Sequence, residues 1–250
     1  MVELLEDLET EEWSLPTVCG EWDVKGVALH LLGGELANLS RRRDREPSAP
    51  GAGEDLVEWL NARNEEWVQA ARFLSNPLLI ELLDSAGESF EAYLATLDLD
   101  AREGHVSWAD DAAVPVWLDV AREYTERWVH QQQIRDETGR PGMKDEELVG
   151  TALRTFVHAL PMTYRDVDAP EGPAVELRVT GSGGGVWHVV RADGRWRLVA
   201  GSHAEPHAVV TLDEEDAWRL FTRNPHGREP RWHGDEALAG VMRGAVAIVA

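Results

Sequence analysis

Basic residues are scarce in this sequence of 250 residues. Lys and Arg number 24 against 46 Asp and Glu, which gives a formal net charge of −22 at pH 7. A chain of this charge repels phosphate backbones and anionic lipid surfaces unless a local basic patch intervenes. We therefore expect neither nucleic acid nor a membrane as a partner.

Cysteine is almost absent, and long apolar runs are missing. Cys19 has no second cysteine with which to form an internal disulfide. No run reaches the ~20 apolar residues that cross a bilayer, since even the stretch 24–36 is interrupted by Lys25 and His30. The first residues also lack a charged segment followed by an apolar signal core. We therefore expect a cytoplasmic protein.

The remaining composition indicates a folded chain of two parts. Apolar residues make up 43% of the sequence and charged residues 28%, which are ordinary proportions for globular domains. Residues 1–150 hold 13 basic and 33 acidic side chains, a net charge of −20, whereas residues 151–250 hold 11 and 13, a net charge of −2. We place one domain at 1–165 and a second at 170–250, joined by a linker near 165–174, and expect a monomer or a homodimer.

Helical patterns fill the first part. Asp23 is a good N-cap for a helix that runs to about Ser40, and Pro115 favours the start of a helix over 116–138 that ends at Gly139. Apolar spacing predicts two further long helices, which cover 55–74 and 77–97. In the first of these the apolar positions are Leu56, Trp59, Leu60, Trp67 and Phe73.

Shorter segments complete this part. We expect a short helix at 2–8, a further helix at 145–164, an exposed loop at 41–53 and an irregular loop at 98–114. The four long helices predict a bundle.

Strand patterns follow residue 170. Period-two alternation predicts four strands, at 175–179, 187–191, 196–200 and 208–212. Asp193-Gly194 is a hairpin turn between the second and third of them. Two helices, 213–223 and 235–243, precede an apolar tail at 246–249. The fold class is therefore α + (α+β), a helical bundle followed by a smaller domain with an antiparallel sheet.

One segment of the long fourth helix carries residues suited to a metal. Glu126 and His130 are four apart, so they lie one turn from each other on one helical face. With His30 as a third ligand they would form a His2Glu set, which binds zinc and leaves one position open. A Glu and a His at this spacing also form ordinary exposed pairs, and periodicity alone places them on the polar side with Arg122 and Gln133. The residues by themselves leave both interpretations open.

Several separated motifs resemble one known family. The pieces lie in the order Thr17-Val-Cys-Gly-Glu-Trp-Asp-Val, His30-Leu-Leu-Gly, Glu126-x-x-x-His-x-x-Gln-Ile-Arg and Gly139-Arg-Pro. Over residues 1–142 they are similar to the metal-binding N-terminal domain of the mycothiol-dependent maleylpyruvate isomerases, which are DinB-like four-helix bundles. From about 170 the chain resembles the sterol-carrier-like C-terminal domain of that family. Gln133 stands where members often have Asp, and Cys19-Gly-Glu-Trp where they usually have Cys-Pro-Gly-Trp.

The resemblance implies a mechanism and its cofactors. A divalent metal, usually zinc, is held by His30, Glu126 and His130, and a low-molecular-weight thiol such as mycothiol binds at the open position as thiolate. A metal lowers the pKa of a bound thiol and so produces a nucleophile at neutral pH. In the isomerase the thiol adds to the cis double bond of maleylpyruvate, the adduct rotates, and elimination leaves fumarylpyruvate. Addition without elimination is an S-transfer.

The resemblance also implies an arginine in the second domain that pairs with an acidic substrate. Arg219, Arg223 and Arg243 are the candidates, of which at most one has this role, and the alternative is that all three are solvated helix charges. Cys19 beside Trp22 is interpreted as a packed apolar residue. The histidines of the second domain lack ligand spacing and are expected at the surface: His203, His207, His226 and His233.

Two functions are consistent with these observations. The first is a metal-dependent, thiol-using isomerase or S-transferase that acts on a small unsaturated acid or another electrophile. The second is a non-catalytic protein that binds a metal in the bundle and an apolar ligand in the second domain. Because the sequence offers no fourth protein ligand to close the metal site, the first is favoured.

Overall fold

The structure is a computed structural model that describes residues 1–172, 174–200 and 205–247. Its helices and strands follow in this order: α1 Val2–Glu6, α2 Val24–Asn38, α3 Leu56–Ala71, α4 Asn76–Leu94, α5 Val116–Glu137, α6 Glu146–Phe156, α7 Leu160–Tyr164, β1 Ala174–Thr180, β2 Gly185–Ala192, β3 Arg195–Ala200, β4 Ala208–Asp213, α8 Glu214–Phe221, β5 Arg231–Gly234 and α9 Glu236–Val241. Pro173, His203 and the tail residues 248–249 fall outside the described residues. The architecture is thus a helical N-terminal region followed by a domain built on a mixed sheet.

Aspartates begin most of these helices. Asp23 accepts a hydrogen bond from the N–H of Gly26, as the sequence predicts, and Asp213 does the same for Asp216. The carboxylates of Asp55, Asp145 and Asp235 cap their helices in the same way. No helix among the described residues is long and apolar enough to span a membrane.

Two compact units divide the chain. The first comprises 1–98 and 129–142, and the second 99–128 and 143–250. In the first unit α2 packs against both α3 and α4, and the core includes Val27, Leu31 and Leu32 of α2 with Leu79 and Leu83 of α4. These side chains are at most 5% exposed, so α2 is the central helix of this unit.

The second unit holds helices that the sequence assigns to the bundle. Helix α6 packs against α8 and α7 packs against β3. Phe156 stacks on Phe221 with ring centroids 5.7 Å apart, and the hydroxyl of Tyr164 donates to the carbonyl of Leu238 at 2.8 Å. Residues 143–164 therefore belong to the same compact unit as the sheet. The boundary between folding domains near 165–174 stays a prediction.

The sheet is mixed, with strand order β3-β2-β1-β4-β5. The hairpin turn is confirmed, because Asp193 and Gly194 have the positive φ of 51° and 72° that such a turn needs. The prediction of a purely antiparallel sheet is wrong, since β1 and β4 are parallel. After the β2-β3 hairpin the chain crosses to the other side of β1, and β4 then runs in the same direction as β1. Strand β5, which the sequence analysis missed, pairs with β4 at the edge.

The predicted loop at 98–114 is a packed segment. Gly104 and Val114 form an antiparallel bridge, with two hydrogen bonds of 2.9 Å. Val106 and Val114 pack with Leu118 of α5 and are 1% and 4% exposed. By contrast, residues 44–49 are exposed, as predicted.

Candidate metal centre

A tight turn before α2 positions two side chains of the site. The hydroxyl of Thr17 donates to the carbonyl of Trp22 at 2.7 Å and accepts from the N–H of Cys19 at 3.1 Å. Gly20 has a φ of 64°, a left-handed conformation that glycine adopts without a steric penalty. The Cys19-Gly-Glu-Trp22 segment is therefore a fixed turn that presents Cys19 and Trp22.

The three predicted metal ligands lie together. His30 projects from α2 and His130 from α5, with ring centroids 5.0 Å apart and ring planes at 76°. Glu126 lies one turn before His130 on the continuous helix α5. One ligand atom from each of these three residues lies within 4.8 Å of the other two. The structure thus gathers two imidazoles and a carboxylate from α2 and α5.

Burial separates this cluster from an exposed helical pair. His130 and Gln133 are each 2% exposed, so the alternative interpretation of Glu126 and His130 as an ordinary exposed pair is wrong for His130. The hydrophobic periodicity of α5 does not identify its buried side, because polar residues on two faces of the helix are also buried. Of the three ligands, His130 is buried, whereas His30 and Glu126 are half-buried.

Gln133 connects His130 with Cys19. The side-chain oxygen of Gln133 lies 2.7 Å from Nδ1 of His130 and 3.1 Å from Sγ of Cys19. The same Sγ lies 3.9 Å from Nδ1 of His130. Cys19 packs against the helical core, as the sequence predicts, but its thiol also belongs to the surroundings of His130.

Trp22 lies against the other histidine. Its ring is tilted by 30° over that of His30, with centroids 4.8 Å apart. The indole N–H donates to Glu65 of α3 at 2.7 Å, which anchors the ring. Hydrogen bonds from Trp22 and Gln69 hold the pKa of Glu65 below its ordinary value, so that Glu65 stays ionised as an acceptor.

Arg219 is held by its own helix and the turn that follows. It is 8% exposed, and its guanidinium donates to Glu215 at 2.7 Å and to the Asn224 side chain at 3.2 Å. It also lies over the ring of Trp218, 4.3 Å from the centroid. These contacts fix the guanidinium in one orientation.

The other two arginines are exposed. Arg243 donates to Glu229 at 3.0 Å and lies 4.4 Å from the ring centroid of Trp232. Arg223 has a φ of 53° just after α8. The role of an arginine toward substrate stays a prediction for all three. The described histidines of the second domain that were expected at the surface are exposed: His207, His226 and His233.

The sequence analysis did not predict that Gln133 contacts His130 and Cys19. The signal for Gln133 was its spacing, because a residue three positions after His130 on a helix lies beside it. No local signal connects Cys19 with Gln133, since 114 positions separate them.

The fold and the site define a class of protein. Its members have a helical region that brings two histidines and a glutamate together, followed by a mixed-sheet domain. The family model described as the mycothiol maleylpyruvate isomerase N-terminal domain matches residues 1–135. The chain belongs to this family. Comparison with curated protein sequences finds no match.

Two solved structures are similar in fold. The crystal structure of the mycothiol-dependent maleylpyruvate isomerase is 15% identical, with a TM-score of 0.53, and the match covers 92% of this chain and 86% of the other. A variant of that isomerase with one histidine replaced by alanine is 15% identical over the same shares, with a TM-score of 0.49. The first likeness shows a shared fold, a helical region followed by a mixed-sheet domain.

Proposed function

We propose that His30, Glu126 and His130 hold a divalent metal, with zinc as the best-matched ion. The observation that carries this proposal is that the ligand atoms of these residues lie within 4.8 Å of one another. Two imidazoles and a carboxylate are a common protein ligand set of catalytic zinc. The donor chemistry therefore fits the ion.

The separations are also compatible with one ion. Ligand atoms ~2.1 Å from a tetrahedral zinc are about 3.4 Å from one another. The widest separation in the cluster is at most 4.8 Å, so small rotations of the side chains bring the three groups into range. Tilting of the Glu126 carboxylate, which is only half-buried, is the simplest of these rotations.

We further propose that the protein is an enzyme that uses a low-molecular-weight thiol of the mycothiol type. Membership of a family named for mycothiol and maleylpyruvate isomerisation supports this. A metal at the site would supply the charge that keeps a bound thiol ionised at neutral pH. The reaction is isomerisation or S-transfer on a small unsaturated acid or another electrophile.

The chain's own residues have defined parts in this proposal. Trp22 shields one side of His30, Gln133 holds His130, and Cys19 contacts Gln133. An arginine of the sheet domain meets the carboxylate of the substrate, and Arg219, Arg223 and Arg243 remain the candidates. Two fold assignments accompany this proposal: a DinB-like four-helix bundle for the helical region and a sterol-carrier-like second domain.

Metal analysis tests the site. We expect about one zinc per purified wild-type chain and a large loss in His130→Ala and His30→Ala, because each variant removes one of three ligands. The matched control is His105→Ala, which removes an exposed histidine and should keep the metal. An equal metal content per chain in the wild type and in His130→Ala would contradict the proposed ligand set.

Calorimetry with thiols tests the enzyme proposal. We expect mycothiol, or one of bacillithiol and glutathione, to bind the zinc-loaded protein more tightly than the metal-free protein. If none does, the protein is instead the non-catalytic metal- and ligand-binding protein that the sequence also allows. Turnover with small unsaturated acids in the presence of the bound thiol then identifies the electrophile.

A further inference from the structure

Gln133 is a buried polar residue beside His130 that the proposed ligand set does not use. Its side chain is 2% exposed, and its oxygen lies 2.7 Å from Nδ1 of His130. This is a short hydrogen bond between two buried groups. A buried glutamine so placed needs a hydrogen-bonding partner, and His130 provides one.

The direction of this bond fixes the histidine tautomer. With the Gln133 oxygen facing Nδ1, Nδ1 of His130 carries the proton, because a carbonyl oxygen only accepts hydrogen bonds. In the neutral ring Nε2 then keeps its lone pair, which is the form that binds a metal. With the amide turned over, its NH2 group would face Nδ1, and the proton would move to Nε2.

Cys19 selects between these two amide orientations. Its Sγ lies 3.1 Å from the same Gln133 oxygen, so the thiol is a second donor to it. Two donors, the Cys19 S–H and the His130 Nδ1–H, therefore converge on one oxygen. With the amide turned over, the Cys19 S–H would lose this oxygen acceptor, and the NH2 group would face a sulfur that is only a weak acceptor.

We propose that Gln133 is a positioning residue that sets the tautomer and orientation of His130, and that Cys19 holds Gln133 in the required orientation. This inference rests on the proposed metal site, because it explains how that site keeps Nε2 of His130 ready for an ion. Outer hydrogen-bond partners of this kind orient metal-binding histidines and raise their affinity. Gln133 and Cys19 themselves do not ligate the metal.

Zinc affinity, measured by competition with a chelator, gives the first readout. We expect Gln133→Leu to weaken zinc binding by about 10- to 100-fold, because the acceptor is lost while the size is nearly kept. Gln133→Glu keeps an acceptor of the same length and should keep the affinity. The control is Gln131→Leu, the same substitution at a half-buried position of the same helix, which should bind zinc as the wild type does.

The tautomer itself gives the second readout. In metal-free protein with 15N-labelled histidine, two-bond proton–nitrogen spectra above neutral pH show which ring nitrogen carries the proton. We expect the Nδ1–H form for His130 in the wild type, in Gln133→Glu and in Cys19→Ser, which keeps a donor. Gln133→Leu should show a mixture of the two forms, and Cys19→Ala a smaller change. The signal of His130 is assigned by its loss in His130→Gln.

Each outcome decides the proposal. An Nε2–H form in the wild type, or a Gln133→Leu protein with unchanged tautomer and unchanged affinity, overturns it. If Gln133→Leu does not fold, the Cys19→Ala and Cys19→Ser pair still tests the orientation of the amide. If the wild type binds no zinc, the metal site is wrong, and the spectra of the metal-free protein still decide what Gln133 does to His130.

Discussion

Arg140 ties the turn after α5 to the N-terminal segment. Its guanidinium donates to both carboxylate oxygens of Glu12, at 2.7 and 3.0 Å, and to the carbonyl of Asp7 at 2.5 Å. This bidentate geometry is the strongest form of an arginine–carboxylate pair. The Gly139-Arg-Pro motif therefore has a structural role in the helical region, because its arginine joins the end of α5 to residues 7–12 of the N-terminal segment.

The pair predicts a dependence of stability on pH. The hydrogen bonds from Arg140 and from the N–H of Glu9 hold the pKa of Glu12 below its ordinary value of 4.5. A lowered pKa in the folded state means that ionised Glu12 stabilises the fold above pH 4.5 and that this stabilisation is lost as the pH falls further. We therefore expect the melting temperature of Glu12→Gln to lie below that of the wild type at neutral pH.

This difference in melting temperature should shrink as the pH is lowered below 4.5, because protonated Glu12 resembles glutamine. Thermal unfolding between neutral pH and pH 3 measures it. Glu11→Gln, at an exposed neighbouring carboxylate, is the control and should differ little from the wild type at any pH. A Glu12→Gln difference that stays constant down to pH 3 would contradict the assignment.

Helix α2 depends on the close approach of a tryptophan. The indole N–H of Trp67 in α3 donates to the carbonyl of Leu29, one residue before His30, at 2.7 Å. A Cβ added at Gly33 would lie only 2.4 Å from a carbon of this ring. Gly33 therefore leaves room for the ring, and the ring holds α3 against the part of α2 that carries His30.

The neighbouring glycines provide a matched pair of variants. We expect Gly33→Ala to lower the free energy of unfolding by about 1–3 kcal/mol, since the ring must move away from its acceptor. Gly34→Ala meets no atom within 4 Å and should raise the free energy of unfolding by about 0.5–1 kcal/mol, which is the helix preference of alanine over glycine.

Urea unfolding of the two variants measures both changes. Opposite signs support the packing argument, whereas destabilisation by both substitutions would show that α2 tolerates no added methyl group at either position. Loss of zinc in Gly33→Ala but not in Gly34→Ala would further show that Trp67 helps to place His30.

At the scale of the whole molecule, the connecting segments differ in how firmly they are held. Residues 44–49 are exposed, whereas the segment 99–115 contains the Gly104–Val114 bridge and two buried valines. Proteases cut where backbone can open without loss of packing.

Limited proteolysis with a protease of broad specificity should therefore cut first within 44–55 and at the proposed linker near 165–174. Cleavage between Gly104 and Val114 should come later, because it requires the bridge and its packing to open. Mass spectrometry of the first fragments checks this order. First cuts inside 104–114 or inside α5 would contradict both the packing argument and the proposed linker.

The sequence by itself determined the local structure. Aspartate caps, apolar spacing and the Asp193-Gly194 turn depend on contacts within about four residues, and the structure has the helices and strands that they predict. The Glu126 and His130 pair was visible for the same reason, since a helix places positions i and i+4 side by side.

Tertiary structure decided which faces are buried and which strands are neighbours. Phe73 belongs to a predicted apolar stripe but is 84% exposed, while His130 and Gln133 on the supposed polar side are 2% exposed. The parallel pairing of β1 with β4 and the position of the Cys19 thiol beside Gln133 join residues far apart in the chain. No local pattern encodes such contacts, because they result from how all elements share a limited amount of buried space.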